Sequence, residues 1–326
     1  MCFPTVDLII PTYKPDMTFC LLLQKLQKQT FLIQKLIIVN TEEALWNKFI
    51  QENENINDLL ENAPFSVELI QIEKEDFDHG GTRRFAVEHS ESDIFLCMTQ
   101  DAMPVNTYLI EEMVKPFQKK SNIAAVYARQ MPNKDCSEVE KYTRAFNYPE
   151  KSLIKRKEDI EKLGIKTFFC SNVCAAYKRS VYDEMGGFER SAIFNEDMIY
   201  AGHAVKRGFY ICYSAKAQVI HSHNYTGKQQ FHRNFDLAVS QKMHPEVFEG
   251  IRSESEGMKM VKMSMKHLIS IKKPWLIANL VWQSGCKLLG YKMGQNYQRL
   301  SKKRIMKFTM NGGFWVNLWK NNDEAS

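Results

Sequence analysis

Two groups of polar residues have the composition of a metal or phosphate site. Thr99-Gln100-Asp101 follows an apolar run, and a carboxylate at the end of a buried strand can hold Mg²⁺ or Mn²⁺ together with substrate phosphates. Taken alone, Asp101 is slightly more typical of a turn aspartate that caps the next helix. His221 and His223 follow another apolar run and would share one face of a strand. Such a pair suits a transition metal, or a phosphate when protonated, and is equally common without a ligand.

The segment from Asp76 to Arg83 reads DFDHGGTR and predicts a phosphate-binding turn. Gly80 and its neighbouring glycine allow close backbone approach, and the N-terminus of the helix that follows favours an anion. Arg83 supplies a forked cation, and His79 supplies a neutral hydrogen-bond donor. The alternative is a tight turn with a surface arginine, and the spacing matches neither a P-loop nor a dinucleotide fingerprint.

A third group, Asn195-Glu196-Asp197, begins a helix that is apolar on one face. Acidic residues in a first turn often only complement the helix dipole, and this interpretation suits Glu196. Asp197 could instead take a proton from an attacking hydroxyl group. The helix dipole would keep its carboxylate ionised, as a base requires.

Alternating apolar and helical segments must position these groups. Five apolar runs read as strands of a doubly wound, mainly parallel sheet of the α/β class: Val6 to Ile10, Lys35 to Val39, Val67 to Ile72, Asp93 to Met98 and Ile123 to Ala128. Ligands bind beyond the carboxyl ends of such strands, where Thr12, Asn40 and Asp101 lie. Further along, Tyr210 to Tyr213 and Gln218 to Ile220 read as two short strands.

The charge of the chain is divided unevenly. Thirteen Lys or Arg and no Asp or Glu lie between Lys259 and Lys320. Because the formal net charge of the whole chain is +6, the remaining residues together carry −7. A basic tail suggests a polyanionic partner, either an anionic membrane or a nucleic acid. Within it, Trp275 to Leu289 reads as an amphipathic helix that lies on a membrane, or with nearly equal weight as a helix that packs on the body.

The cysteines and the hydropathy favour a reducing, cytoplasmic location. Eight cysteines are scattered without a CxxC pair, and Cys170 with Cys174 is only a weak zinc signal. No apolar run reaches the ~20 residues that a spanning helix needs, and no signal peptide opens the chain.

Together these motifs resemble family 2 glycosyltransferases of GT-A fold, and within them the bacterial rhamnosyltransferase-like subgroup that builds cell-surface polysaccharide. The resemblance runs from about Val6 to His223, with a weaker likeness in the tail. It is carried by LIIPTY at 8–13, FDHGGTR at 77–83, TQDA at 99–102, the segment 172–177, GGF at 186–188 and Glu196-Asp197; the weaker likeness is LGYKMG at 289–294.

The resemblance implies roles for individual residues. Asp101 matches the last residue of the metal-binding DxD motif, and Asp197 matches the base of inverting members. His221 or His223 would complete the metal site, while Asn172 and Glu196 lie on the acceptor side. The expected contacts to the donor nucleotide and diphosphate are Pro11, Thr12, Tyr13, Asn40, His79, Gly80, Arg83 and Gln100.

Two positions depart from the family pattern. Thr99 replaces the first DxD carboxylate, and Asn40 stands where the family usually has an aspartate that holds the nucleobase of the donor.

The resemblance thus implies an inverting transfer of a sugar, L-rhamnose from dTDP-β-L-rhamnose, to a saccharide or lipid-linked saccharide, with Mg²⁺ or Mn²⁺ as cofactor. The alternatives are another sugar from a UDP donor, or a non-catalytic nucleotide- or nucleic-acid-binding protein. The preferred interpretation has no nucleic-acid partner and makes no prediction of oligomeric state. It divides the chain into a catalytic domain of residues 1–225, whose halves meet near residue 130, and a helical region of 226–326. That region would hold the protein on the inner face of the cell membrane.

Overall fold

The computed structural model describes residues 4–251 and 254–324. Its strands are β1 (Val6–Tyr13), β2 (Lys35–Thr41), β3 (Ser66–Ile72), β4 (Ile94–Met98), β5 (Met103–Pro104), β6 (Ile123–Met131), β7 (Leu153–Lys155), β8 (Cys174–Lys178) and β9 (Tyr210–Ile220). Its helices are α1 (Met17–Leu26), α2 (Glu43–Glu52), α3 (Asn55–Glu61), α4 (His79–Glu88), α5 (Leu109–Lys119), α6 (Glu138–Asn147), α7 (Ile160–Leu163), α8 (Arg179–Glu184), α9 (Glu196–Lys206), α10 (Gly227–Met243), α11 (Pro245–Phe248), α12 (Glu254–Ser270), α13 (Leu276–Gln295), α14 (Lys302–Phe308) and α15 (Gly312–Glu324).

Within the described ranges the strands form one sheet in the order β3-β2-β1-β4-β8-β6-β9-β5, with β7 paired to β9. The first four strands are parallel, as the sequence predicts. Beyond β4 the sheet is mixed, because β8 inserts antiparallel between β4 and β6. The pair of β6 and β9 is parallel again. Because β5 pairs with the end of β9, the segment from Thr99 to Asp101, which precedes β5, lies near that end.

Two strand boundaries differ from the prediction for local reasons. β1 continues through Pro11 to Tyr13, where a strand end was expected. Its pairing with β4 stops at Ile9, so Pro11 lies on an edge that needs no N–H donor. β9 is one strand instead of two, since its register against β6 shifts and accommodates three extra residues at 215–217.

The sheet is buried on both faces, which confirms the doubly wound α/β architecture. Leu8 and Ile10 pack with α1, α2, α3 and α5 in one core, while Ile9 faces α4 and α9 in the other. Cys170 and Cys174 are buried thiols, and burial raises the pKa of each to about 12. They behave as small apolar side chains; Cys2 lies outside the described residues.

The C-terminal helices pack onto the body. A Cβ atom on Gly290 would overlap the carbonyl oxygen of Phe231, and one on Gly294 would overlap that of Phe235, so these glycines allow α13 to lie close against α10. A further apolar cluster joins α10 to α14 and α15. No helix in the described ranges is both long and apolar enough to cross a membrane.

Candidate active site

Asp101, His221 and His223 converge although they come from separate parts of the chain. The Nε2 atoms of His221 and His223 lie 3.5 and 3.3 Å from Oδ2 of Asp101, and 3.0 Å from each other. One ligand atom from each residue falls within a 4.8 Å cluster, which could hold a metal ion. The convergence follows from the sheet order, because β9 ends beside the loop after β4.

Neighbouring groups favour neutral imidazoles whose ring nitrogens can bind a cation. Nδ1 of His221 lies 3.2 Å from Oε1 of Gln130, and donating a proton there leaves the lone pair of Nε2 facing Asp101. Burial lowers the pKa of both imidazoles, that of His221 to about 3, against the raising effect of Asp101. In one tautomer Nε2 of His223 donates a hydrogen bond to Nε2 of His221, and in the other both nitrogens offer a lone pair to a cation. The hydroxyl group of Thr99 also lines this space, is buried, and has no hydrogen-bond partner. The donor set therefore fits a divalent cation, and its two nitrogens suit Mn²⁺ better than Mg²⁺.

Asp197 lies in the first turn of α9 with both carboxylate oxygens held by backbone. The N–H of Asn172 donates to Oδ2 at 2.9 Å, and the N–H of Met198 donates to Oδ1 at 2.7 Å. Burial, and after it the charge of Glu196, raises the pKa of Asp197 to about 7. A fixed carboxylate with this pKa is suited to accept a proton near neutral pH.

Arg83 and Glu196 form a buried ion pair beside Asp197. Nη1 of Arg83 lies 3.0 Å from Oε1 of Glu196 and donates to the carbonyl oxygen of His79 at 2.9 Å. Asn172 donates to the same Oε1 at 2.9 Å and accepts a hydrogen bond from Tyr177 at 2.7 Å. Burial lowers the pKa of His79 to about 4, so this imidazole is neutral. Because Arg83 is paired with Glu196 and its neighbour His79 is neutral, the charge of Arg83 is balanced within the protein.

The N-terminus of α4 already has an acceptor for its N–H groups. The Oδ1 atom of Asp78 accepts from Gly80 at 2.9 Å, from Gly81 at 2.7 Å and from Ala192 at 3.1 Å. A Cβ atom on Gly80 would meet the carbonyl oxygen of Glu189 at 2.6 Å. The two glycines therefore let α4 approach the segment around residue 190, and Asp78 caps the helix.

The residues expected to bind the nucleotide lie at the carboxyl ends of β1 and β2. Thr12 donates to Asn40 at 3.0 Å, and Asn40 donates to Gln71 at 2.7 Å. Gln100 forms two hydrogen bonds of 2.9 Å with the backbone of Tyr13, which joins β1 to the segment before Asp101. Pro11 precedes these groups on β1.

A cavity of about 440 Å³ connects the metal-ligand triad with the aspartate. Of the residues expected at the site it contacts His79, Arg83, Asp101, Asn172, Glu196, Asp197, His221 and His223. Pro11, Thr12, Tyr13, Asn40, Gly80 and Gln100 are not among its lining residues.

Several further lining residues were not predicted from the sequence, among them Gln130, Arg144, Arg233 and Lys287. These four come from β6, α6, α10 and α13, and no local motif marks them.

Comparisons with known proteins identify the family of the chain. The model of Glycosyl transferase family 2 matches residues 7–186. The O-antigen chain rhamnosyltransferase RfbN of Salmonella typhimurium strain LT2 is 36% identical over 96% of both chains. The O-antigen chain rhamnosyltransferase WbaN of Salmonella anatum is 37% identical over 97% of both.

Solved structures show the same fold at low sequence identity. The mannosyltransferase PcManGT of Pyrobaculum calidifontis, in complex with GDP-Man and Mn²⁺, is 14% identical with a TM-score of 0.52, over 98% of this chain and 88% of that one. Residues 1–349 of S. aureus TarS are 12% identical with a TM-score of 0.50, over 90% of this chain and 91% of that one. The GT-A architecture implied by the sequence is confirmed, and the non-catalytic alternative is set aside. The chain belongs to glycosyltransferase family 2 and is a glycosyltransferase.

Proposed function

We propose that this enzyme transfers L-rhamnose from dTDP-β-L-rhamnose to a hydroxyl group of a saccharide during polysaccharide synthesis, with inversion. The two rhamnosyltransferases that match nearly the whole chain support the sugar and the pathway. The observation that carries the chemistry is the Asp197 carboxylate, fixed by two backbone N–H groups and facing the cavity that the Asp-His-His triad also lines.

The proposed reaction is a single displacement. An acceptor hydroxyl oxygen bonds to the anomeric carbon while the bond from that carbon to the diphosphate oxygen breaks. The hydroxyl proton passes to Asp197, and the electron pair of the broken bond leaves on the diphosphate. Attack from the face opposite the diphosphate converts a β-linked donor sugar to an α-linked product.

The remaining site residues bind and orient in this proposal. Asp101, His221 and His223 would hold the divalent cation, which neutralises charge on the leaving diphosphate when bound. Pro11, Thr12, Tyr13, Asn40 and Gln100 form the nucleotide platform. Asn172 orients the base through its backbone N–H, while Glu196, Arg83, His79 and Gly80 hold the ends of α9 and α4 in place. The division at residue 225 into a catalytic domain and a C-terminal region stays a prediction.

The test is transfer by the purified full-length chain with Mn²⁺, from dTDP-β-L-rhamnose or from UDP-glucose, UDP-galactose and UDP-GlcNAc in parallel, to saccharide acceptors with and without a lipid diphosphate. We expect turnover with the rhamnose donor and an α-linked product by NMR. Turnover with a UDP-sugar, and none with the rhamnose donor, would refute rhamnose transfer and support the alternative donor. A β-linked rhamnoside would exclude the single displacement.

We further propose that the enzyme works at an anionic membrane surface, through what we call the tail face: Ile269, Trp275, Val281, Trp282, Leu288 and Leu289. These side chains are exposed, Trp275 by 68% and Trp282 by 66%. Trp282 and Leu289 lie seven residues apart on α13, and Trp275, directly before the helix, continues the same spacing. Lys272 and Lys292 lie on the same segment, and each cation near an anionic leaflet adds about 1 kcal/mol of binding. Because α13 packs on α10, truncating the tail would damage the body, and point substitutions are the sharper test.

Vesicle flotation separates this proposal from simple packing of the tail. The parent should float with vesicles that contain anionic lipid, less so at high salt, and Trp275→Ala with Trp282→Ala should float at least about tenfold less. The matched control is Leu21→Ala with Leu32→Ala, which removes exposed apolar side chains from the body (48% and 47% exposed). Unchanged flotation of the tryptophan variant, or equal loss in the control, would refute the tail face.

A further inference from the structure

The cavity needs more positive charge than the expected arginine provides. A substrate diphosphate brings two negative charges to the site, and Arg83 was the cation expected to meet them. That guanidinium is buried and paired with Glu196 at 3.0 Å, so its charge is already balanced. Other groups must stabilise an anion here if the protein contributes to that task.

Three cations from three C-terminal or peripheral helices face the same cavity. Arg144 lies on α6, Arg233 on α10 and Lys287 on α13. Arg144 donates to Oε1 of Gln130, the same atom that contacts His221, which places this guanidinium next to the metal-ligand triad. Burial lowers the pKa of Lys287; after burial, the charge of Glu140 raises this pKa and the charges of Arg233 and Arg144 lower it, so these groups lie close together.

Two of these cations have no carboxylate partner among the described residues. Arg144 is paired with Glu140 at 2.6 Å. The guanidinium of Arg233 instead lies over the rings of Phe194 and Tyr225, at 4.6 and 5.6 Å from their centroids. Lys287 forms no ion pair in this part of the structure, and it shares the buried side of α13 with Leu280, Gly290 and Gly294. Arg233 and Lys287 thus bring two positive charges to the cavity, and the carboxylate nearest in effect to Lys287, that of Glu140, is already paired with Arg144.

We propose that Arg233 and Lys287, supported by Arg144, form a subsite for a substrate diphosphate, so that the C-terminal helices complete the active site. The inference rests on the proposed function for its ligand class. Proximity to the triad favours the diphosphate of the sugar donor, which then leaves between the triad and these cations. A lipid diphosphate on the acceptor has the same chemistry and is distinguished by the test.

The test measures binding of thymidine diphosphate, uridine diphosphate and unphosphorylated thymidine by calorimetry to the metal-loaded full-length chain. The variants are Arg233→Gln and Lys287→Met, with Lys242→Met, an exposed cation on α10, as the matched control. Each test variant should bind both diphosphates at least about tenfold more weakly, with thymidine binding unchanged. The control should match the parent.

Kinetics with donor and acceptor assign the source of the diphosphate. A raised KM for the donor indicates that the subsite binds the diphosphate of the donor. A raised KM only for acceptors that carry a lipid diphosphate, with unchanged nucleotide binding, indicates that it binds the diphosphate of the acceptor. Unchanged values in both measurements overturn the subsite. Because nucleoside diphosphate binding requires neither rhamnose nor turnover, this result does not depend on whether the rhamnose donor is correct. Circular dichroism of each variant excludes loss of fold as the cause.

Discussion

The pKa of Asp197 predicts an acidic limb in the pH profile of the enzyme. Burial and the charge of Glu196 raise this pKa to about 7, and the base acts only when ionised. With that pKa about one tenth of the enzyme is active at pH 6, and activity rises to a plateau above about pH 8. Burial lowers the pKa of His221 to about 3, below this range, and it also lowers the pKa of His223.

Replacing Glu196 by Gln should move the limb to lower pH. Glutamine keeps an oxygen that can accept from Asn172 and Arg83, but it removes a negative charge next to Asp197. An opposite charge nearby lowers a carboxyl pKa by about 1–3 units and a like charge raises it, so we expect Glu196→Gln to lower the pKa of Asp197 by about one unit or more. At pH 6 the variant should then retain about half or more of its own plateau activity, instead of about one tenth.

The assay is the initial rate of sugar transfer at low donor concentration between about pH 5 and 9, with each profile scaled to its own plateau. Arg83→Met with Glu196→Gln is the first control, since Glu196 raises and Arg83 lowers the pKa of Asp197 and their joint loss should return the limb toward the parent. Lys155→Met is the second, because burial lowers the pKa of Lys155 to about 7 as well. An unmoved limb in Glu196→Gln, or a limb abolished in Lys155→Met, would refute the assignment.

Three further predictions follow from the same contacts. Asp197→Asn should reduce turnover at least ~100-fold with donor binding retained, and near-normal turnover would contradict its role as base. Asp101→Asn should weaken Mn²⁺ binding in calorimetry and abolish metal stimulation, and full activity of the parent in excess chelator would contradict this. Gly290→Ala should destabilise the protein by about 1–3 kcal/mol in denaturant unfolding, because its Cβ meets the Phe231 carbonyl. Gly285→Ala on the same helix, where nothing lies within 4 Å, is the control and should not destabilise.

Local sequence patterns were enough to predict the parallel half of the sheet. The first four strands are largely apolar runs separated by helical segments, and this pattern predicts a sheet with ligands at its carboxyl edge. The pairing of β8 between β4 and β6 depends on contacts far apart in sequence, and no local signal encodes it. The extension of β1 through Pro11 likewise depends on where its neighbour β4 ends.

Sequence patterns likewise predicted only part of the candidate site. Asp101, Asp197 and the two histidines stand at element ends, where position alone suggested chemistry, and the fold brings them to one cavity. The sequence motif places Asp78 in a phosphate-binding turn, yet its side chain caps the helix that the turn begins. Whether a first-turn N–H is free depends on a side-chain rotamer, which the sequence does not specify.

The two interpretations of the tail helix, membrane contact and packing on the body, need not exclude each other. Leu280, Lys287, Gly290 and Gly294 lie on the side of α13 that meets α10 and the cavity. Trp282, about 200° around the helix from Leu280, points away from it and is exposed. One helix can therefore pack, complete the cavity and present an apolar stripe. If that stripe rests on a membrane, the same rigid helix fixes the height of Lys287 and of the cavity above the lipid. Membrane contact and the cavity would then be coupled through one helix, and a lipid-linked saccharide is the acceptor class that gains from such coupling.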